Sequence, residues 1–331
     1  MKVAVFSSKT YDQENLDKVN DGKHQFTYLP VRLTTLTAAL AHGYDAVCCF
    51  VNDELTADCI QMLASYDVKF IAMRCAGYNN VDLAACAKNN ITIVRVPNYS
   101  PYSVAEHAVA LIMDLNRNIH RAFARVREHY YILDGLLGFD MHSKTVGVIG
   151  TGKIGVCLIR IMQGFGCNVI AYDPYPNDEV IALGVKYTSL DELYAESHVI
   201  SLHCPLTTET KHLINADSIS KMRKGVMIIN TSRGGLVNTV DVIEGLKSEQ
   251  VGYLGLDVYE EETDLFFEDN SNTVLQDDVF ARLLTFTNVV ITGHQAFFTR
   301  EALDAISKVT LNNLSALENN DLDNAFLITL P

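Results

Sequence analysis

No uninterrupted apolar run in this sequence approaches the roughly 20 residues of a membrane span. The opening stretch, MKVAVFSSKTYDQ, turns polar after about one strand's length, far short of a secretory h-region. A cytoplasmic protein with no membrane partner is the expectation. Positive charge is in deficit, with 26 Lys and Arg against 40 Asp and Glu. The basic residues are scattered rather than gathered into a stripe that could follow a phosphate backbone, which argues against nucleic acid as a ligand. Cys48, Cys49, Cys59, Cys75, Cys86, Cys157, Cys167 and Cys204 form neither C-x-x-C pairs nor zinc-type Cys/His spacings. Reduced, buried thiols and no metal site are therefore expected. Internal repeats and low-complexity segments are also missing.

What is present is an alternation. Apolar residues make up 48% and charged residues 20% of the chain, the balance of a folded globular protein. At 331 residues two domains are expected, although a single large α/β barrel would also fit. Short apolar runs recur: KVAVFS, DAVCCF, KFIAMR and TIVRVP, then VGVIG, VIAYD, HVISLHCP, GVMIIN, YLGLDVY and NVVITGH. Longer amphipathic segments separate them, which predicts parallel strands joined by crossover helices. Strands that are apolar throughout, rather than alternating, imply helices on both faces of the sheet. The fold class is α/β, doubly wound. VPNYSPYS at 96–103 ends a strand and marks a seam. Beyond it, SVAEHAVALIMDLNRNIHRAFARVREH predicts one long helix with Ser103 as cap and Glu106 completing a capping box. TREALDAISKVTLNNLSALEN, after 299, predicts another.

The strand VGVIG runs into Gly150, Gly152 and Gly155 in the G-x-G-x-x-G spacing, and a helical run follows. In that context the first glycine allows the tight turn, the second lets a pyrophosphate approach the backbone, and the third lets the helix pack on the strand. By itself the pattern is weak. Asp173 strengthens it by closing the next strand, near the place, about 20 residues on, of an acid that binds ribose hydroxyls. Neither Lys nor Arg follows it in PYPNDEVIALGV to neutralise a 2′-phosphate, so NAD is expected rather than NADP.

Three later strand ends carry charge. Arg233 follows GVMIIN, Asp257 ends YLGLD with Glu260, Glu261 and Glu262 behind it, and His294 follows NVVITG. Ligands of open α/β sheets bind outside such strand ends. An arginine there offers a planar fork to a carboxylate, and an acid beside an imidazole favours its protonated form. Taken singly, Arg233 reads as a surface arginine, the acidic run as a solvated face, and His294, beside Phe297 and Phe298, as a packed core residue. Together they form a set suited to hydride transfer onto a carbonyl.

RCAGYNNVD, VPNYSP with AEHA, GVIGTGKIG, AYDPYP, SLHCPLT, NTSRGG, LDVYEEE and TGHQAFF resemble, almost end to end and in order, the signatures of the D-2-hydroxyacid dehydrogenase family. GHQAF, with Gly293 where many relatives have proline, resembles the fermentative D-lactate branch. The resemblance implies a flavodoxin-like substrate domain of residues 1–100 plus 299–331, a Rossmann NAD domain of residues 101–298, and a cleft between them. It implies that Arg233 binds the carboxylate of a 2-oxoacid, that His294 is the proton donor, and that Glu262 supports the imidazolium. Glu262 is singled out from Glu260 and Glu261 only by the family pattern. Backbone groups at Ala76 and Gly77 would hold the far side of the carboxylate and Tyr99 would line the pocket. Phe50 and Phe298 would limit the side chain at C3, favouring pyruvate. The implied cofactor contacts are Lys153, Ile154, Asp173, Cys204, Pro205, Thr231, Ser232 and Asp257.

The expected reaction is reversible reduction of pyruvate to D-lactate with NADH, in a homo-oligomer (dimer or tetramer) associating through the helix after Pro101. Two other readings stand beside it. One is a dehydrogenase for another 2-oxoacid, such as 2-oxoisocaproate, glyoxylate or hydroxypyruvate. The other is a non-enzymatic NAD(H)-sensing module.

Overall fold

Runs that are apolar on both faces are buried only when helices cover both sides of the sheet they form, and in this protein they form two such sheets. The computed structural model describes residues 1–328. The chain divides into two compact units, one made of Met1–Ser100 and the chain from Phe298 onward, the other of Pro101–Phe297.

In the first unit, β1 (Lys2–Val5), β2 (Gln25–Tyr28), β3 (Ala46–Cys49), β4 (Phe70–Met73) and β5 (Thr92–Arg95) lie parallel in the order β2-β1-β3-β4-β5. Val3, Val5, Cys48, Ala72 and Val94 share a core with Leu16 from the helix Thr10–Asn20 and with Leu314 and Leu317 from the helix Arg300–Glu318. Burying a leucine of this kind stabilises the fold by roughly 1.5–3 kcal/mol. Thr299 caps the last helix by accepting from the Ala302 N–H.

In the second unit, β6 (Thr145–Ile149), β7 (Asn168–Tyr172), β8 (Lys186–Tyr187), β9 (Val199–Leu202), β10 (Val226–Asn230), β11 (Val251–Leu256) and β12 (Val289–Ile291) are parallel in the order β12-β11-β10-β9-β6-β7-β8. One face packs on Leu111, Ile112 and Leu115 of the helix Pro101–Arg117 and on Leu158 and Ile159 of the helix Lys153–Gly164. The other packs on Val242 and Leu246 of the helix Thr239–Lys247. From β6 the chain winds one way to β7 and β8, then returns to β9 and winds the other way. The switch point thus falls between β6 and β9, and because every strand is parallel, all the carboxyl ends face one edge.

The structure differs from the sequence reading in several places. β2 and β8 were not expected. Both are edge strands, covered on fewer sides, and so carry no continuous apolar run. The helix after residue 100 is not continuous: Asn118 takes a left-handed conformation at φ 50 and separates Pro101–Arg117 from Ile119–Arg127. Ser103 is no cap. It lies inside the first turn, and its hydroxyl donates to the Ala296 carbonyl at 2.6 Å. Phe298 groups with the first unit. All eight cysteines are free thiols and buried. Among the described residues, no helix is long and apolar enough to cross a membrane.

Candidate active site

The site in the second unit is assembled from strand ends. Gly150 leaves β6 at φ +97, and a Cβ there would stand 2.5 Å from the Cys204 nitrogen, so the turn needs glycine both for its dihedral and for its close approach to the end of β9. A Cβ on Gly155 would stand 2.1 Å from the Gly150 carbonyl oxygen, which is how the helix Lys153–Gly164 packs against its strand. At Gly152, by contrast, nothing lies within 4 Å of the Cβ position. The backbone opens where the helix begins, and the first-turn N–H groups of Lys153 and Ile154 are available to an anion.

Asp173, just past β7, accepts from the Thr151 N–H at 2.7 Å and the Tyr175 N–H at 2.9 Å, which fixes a carboxylate beside the glycine turn. Ser232 donates its hydroxyl to the Cys204 carbonyl at 2.7 Å, tying the ends of β9 and β10 together. Burial pushes the Cys204 thiol up to about 11, so it stays protonated and is no nucleophile. Pro205 is exposed beside it, its carbonyl taking the Thr210 hydroxyl at 2.7 Å. Thr231 Oγ1 is buried with no hydrogen-bond partner among the described residues, a group that a bound molecule would satisfy. An open glycine, an orphaned hydroxyl, a helix N-terminus and a ribose-side acid on one sheet edge fit a dinucleotide.

Arg233 lies in the turn after β10. Asn230, fully buried, donates to the Arg233 carbonyl at 2.8 Å and accepts from the Ser232 N–H at 3.0 Å. The guanidinium is half-buried, and its Nη1 donates to the Ser232 carbonyl at 2.6 Å. Gly234 follows, and a Cβ on it would lie 2.1 Å from Tyr259 backbone atoms. Only glycine lets the arginine turn meet the loop after β11. That loop carries Glu262, whose Oε2 accepts the Tyr259 N–H at 2.9 Å and whose Oε1 lies 2.8 Å from Nδ1 of His294. With Nδ1 engaged, Nε2 is the ring atom left to exchange a proton.

His294 itself is left-handed, at φ 52, and the cause is Asp257. The Asp257 carbonyl accepts the His294 N–H at 2.7 Å. Its carboxylate, fully buried, takes the Thr292 hydroxyl at 2.5 Å and the N–H groups of Gln295 and Ala296 at 2.8 Å each. His107, from the helix Pro101–Arg117, adds a contact at 3.3 Å. Burial acts to raise the Asp257 pKa, but the bonds from His107, Thr292, Ala296 and Gln295 together outweigh it and hold the carboxyl below the usual aspartate range. Asp257 thus organises the histidine turn.

In the first unit, Arg74 was not anticipated. It is almost fully buried, donates to Asp12 at 3.2 Å and to the Ser7 carbonyl at 2.8 Å, and stacks 5.0 Å from the Phe50 ring. It fixes Phe50 and begins the segment containing Ala76 and Gly77, whose carbonyls take bonds from Arg95 at 2.9 Å and from Cys75 at 3.2 Å. Phe298 is half-exposed and meets Tyr11 edge to face at 4.7 Å. Burial and Asp12 push the Tyr11 phenol up to about 12, so it stays neutral. Tyr99 is partly exposed in the segment after β5. Sequence reasoning missed Tyr11, Arg74, His107 and Thr292. Arg74, a charge at the end of an apolar strand, carried a readable signal; the others did not.

Residues 109–296 match the family described as D-isomer specific 2-hydroxyacid dehydrogenase, NAD binding domain. The chain is 52% identical to a D-lactate dehydrogenase of Escherichia coli (strain K12) over 97% of its own length and 98% of that protein's. Among solved structures, it is similar to one described as the pyruvate reductase of Chlamydomonas reinhardtii, with 46% identity, TM-score 0.92 and 97% of each chain covered. It is also similar to a D-lactate dehydrogenase from Aquifex aeolicus complexed with NAD and lactic acid, with 32% identity, TM-score 0.87 and 99% of each chain covered.

Proposed function

The chain belongs to the D-isomer specific 2-hydroxyacid dehydrogenases, NAD-dependent enzymes, and we propose that its reaction is the reversible reduction of pyruvate to D-lactate. The observation that carries this reading is the 2.8 Å contact between Glu262 and Nδ1 of His294, because it leaves Nε2 as the proton donor and sets a negative charge behind an imidazolium. NADH, when bound, supplies the hydride. Gly150, Gly152, Lys153, Ile154, Gly155, Asp173, Cys204, Pro205, Thr231, Ser232 and Asp257 are the residues to hold it. Arg233 takes the 2-oxoacid carboxylate with its planar fork and, beside the carbonyl, opposes the charge that grows on oxygen. His294 protonates that oxygen from Nε2. In the reverse direction it removes the hydroxyl proton.

Ala76, Gly77 and Tyr99 are assigned to the substrate, and Phe50 and Phe298 to limiting what C3 carries. Two large rings, each backed by a neighbour, favour a methyl group over a branched chain. The deciding experiment is a panel of pyruvate, glyoxylate, hydroxypyruvate and 2-oxoisocaproate followed by NADH absorbance, with product chirality determined. Pyruvate giving the highest kcat/KM and D-lactate as product is the expected result. Preference for 2-oxoisocaproate would move the assignment to a bulkier substrate, and no turnover with any of them would favour an NAD(H)-sensing role.

We also assign a homo-oligomer. The helix Ile119–Arg127 buries none of its residues, and Phe123, Tyr131, Leu133 and Leu137 in and after it are 65%, 66%, 78% and 90% exposed, an apolar surface of the kind that subunits cover. Light scattering should give a dimer or tetramer, and Phe123→Glu should lower its mass.

A further inference from the structure

The loop after β9 contains a histidine that the proposed chemistry does not use. His212 sits at φ 52, a left-handed conformation that costs a residue with a Cβ roughly 1–2 kcal/mol. Three contacts accompany it. Its N–H donates to the Gly235 carbonyl at 2.8 Å, its own carbonyl accepts from Asn215 Nδ2 at 2.9 Å, and its Nε2 lies 2.5 Å from Oε1 of Glu260. The other oxygen of Glu260 is within reach of the Thr239 hydroxyl, at 3.5 Å. Gly235 belongs to the turn Gly234–Leu236 that follows Arg233, and Glu260 lies in the same loop as Glu262. His212 therefore touches the arginine turn through its backbone and the acid loop through its ring. Those are the segments that already meet at Gly234.

We infer that His212 and Glu260 are positioning residues, a clamp that sets the turn bearing Arg233 against the loop bearing Glu262 and so fixes the guanidinium relative to the proton donor. The contact needs only a hydrogen on Nε2. Stability alone does not account for it. A side-chain hydrogen bond contributes roughly 0.5–1.5 kcal/mol net, no more than the roughly 1–2 kcal/mol that the backbone strain withdraws, and a glycine at 212 would relieve that strain. The contribution is geometric: a misplacement of about 1 Å in a group that orients substrate can cost about 100-fold in rate.

The inference rests on the roles given above to Arg233 and His294, and the test separates the two. His212→Gly, Glu260→Ala, the double variant, Glu260→Gln and Arg233→Ala are assayed with NADH and pyruvate, alongside Tm and NADH affinity. His212→Gly should keep or raise Tm and keep NADH affinity within about twofold, while kcat/KM for pyruvate falls about 10- to 100-fold. The double variant should fall no further than either single, because both remove one contact. Glu260→Gln, which keeps an acceptor, should recover most of the loss. Wild-type kcat/KM in His212→Gly, additive losses in the double variant, or Tm and NADH affinity falling in step with activity would overturn the clamp. If Arg233→Ala is inactive while His212→Gly matches wild type, the clamp alone fails. If Arg233→Ala stays active, the reading of Arg233 fails and the clamp with it.

Discussion

Nδ1 of His294 lies 2.8 Å from Oε1 of Glu262, whose second oxygen is occupied by the Tyr259 N–H at 2.9 Å. The carboxylate is thus held by its own loop and is positioned to hold the ring. Glu262→Ala would leave the ring without its Nδ1 partner, so kcat for pyruvate reduction should fall by about 10- to 100-fold with NADH affinity unchanged. Glu262→Gln, which keeps a hydrogen-bonding oxygen, should recover part of that loss. Wild-type kcat in stopped-flow traces of Glu262→Ala would remove the positioning role.

Arg233→Lys keeps a positive charge but loses the planar fork. The expected result is a fall in kcat/KM of about 100- to 1,000-fold for every 2-oxoacid on the panel, with NADH affinity by fluorescence unchanged. A loss confined to NADH binding would remove the carboxylate role.

Gly234→Ala would place a methyl group 2.1 Å from the Tyr259 backbone. Backbone cannot yield as a flexible side chain does, so stability should drop by about 1–3 kcal/mol or more, and kcat/KM should fall further than Tm implies. Denaturant titration beside steady-state kinetics checks both.

Asp173→Ser removes the acid that would repel a 2′-phosphate. KM for NADH should rise about tenfold while use of NADPH improves. Equal losses with both cofactors would show that Asp173 acts only through its bonds to Thr151 and Tyr175.

Asp257 has a folded-state pKa below the ordinary aspartate value of 3.8. Its contribution to stability is therefore fully present above that value and is lost as pH falls through the depressed folded value. Asp257→Asn should cost about 3–5 kcal/mol at pH 7, because buried donors lose their charged acceptor. Its Tm deficit against wild type should shrink in strong acid. Urea titration at pH 7 and at the lowest pH where wild type stays folded gives the comparison.

Most strands were legible because burial on both faces writes continuous apolar runs into the sequence, as in VGVIG and GVMIIN. β2 and β8 escaped because edge position removes that requirement. The break at Asn118 escaped because the helical apolar spacing carries across it. At the site, Gly150, Gly152 and Gly155 were readable from spacing plus context. Gly234 was not: its reason is the Tyr259 backbone, 25 positions further along the chain, and no local pattern encodes a contact of that range. His107 escaped for the same cause, since it is defined by partners from other elements, whereas Arg74, a charge closing an apolar strand, was readable.

By itself the sequence determined the α/β class, the succession of the apolar strands and the amphipathic segments between them, the glycine turn with its ribose-side acid, and which strand ends carry charge. These depend on local preference and on the period of burial, both of which are properties of neighbouring residues. The tertiary structure alone decided that Glu262, and not Glu260, holds His294, that Glu260 instead pairs with His212, and that Asp257 organises the histidine turn. Three acids in one short loop are chemically equivalent until packing gives each a different partner, and packing is settled by contacts between segments far apart in the chain.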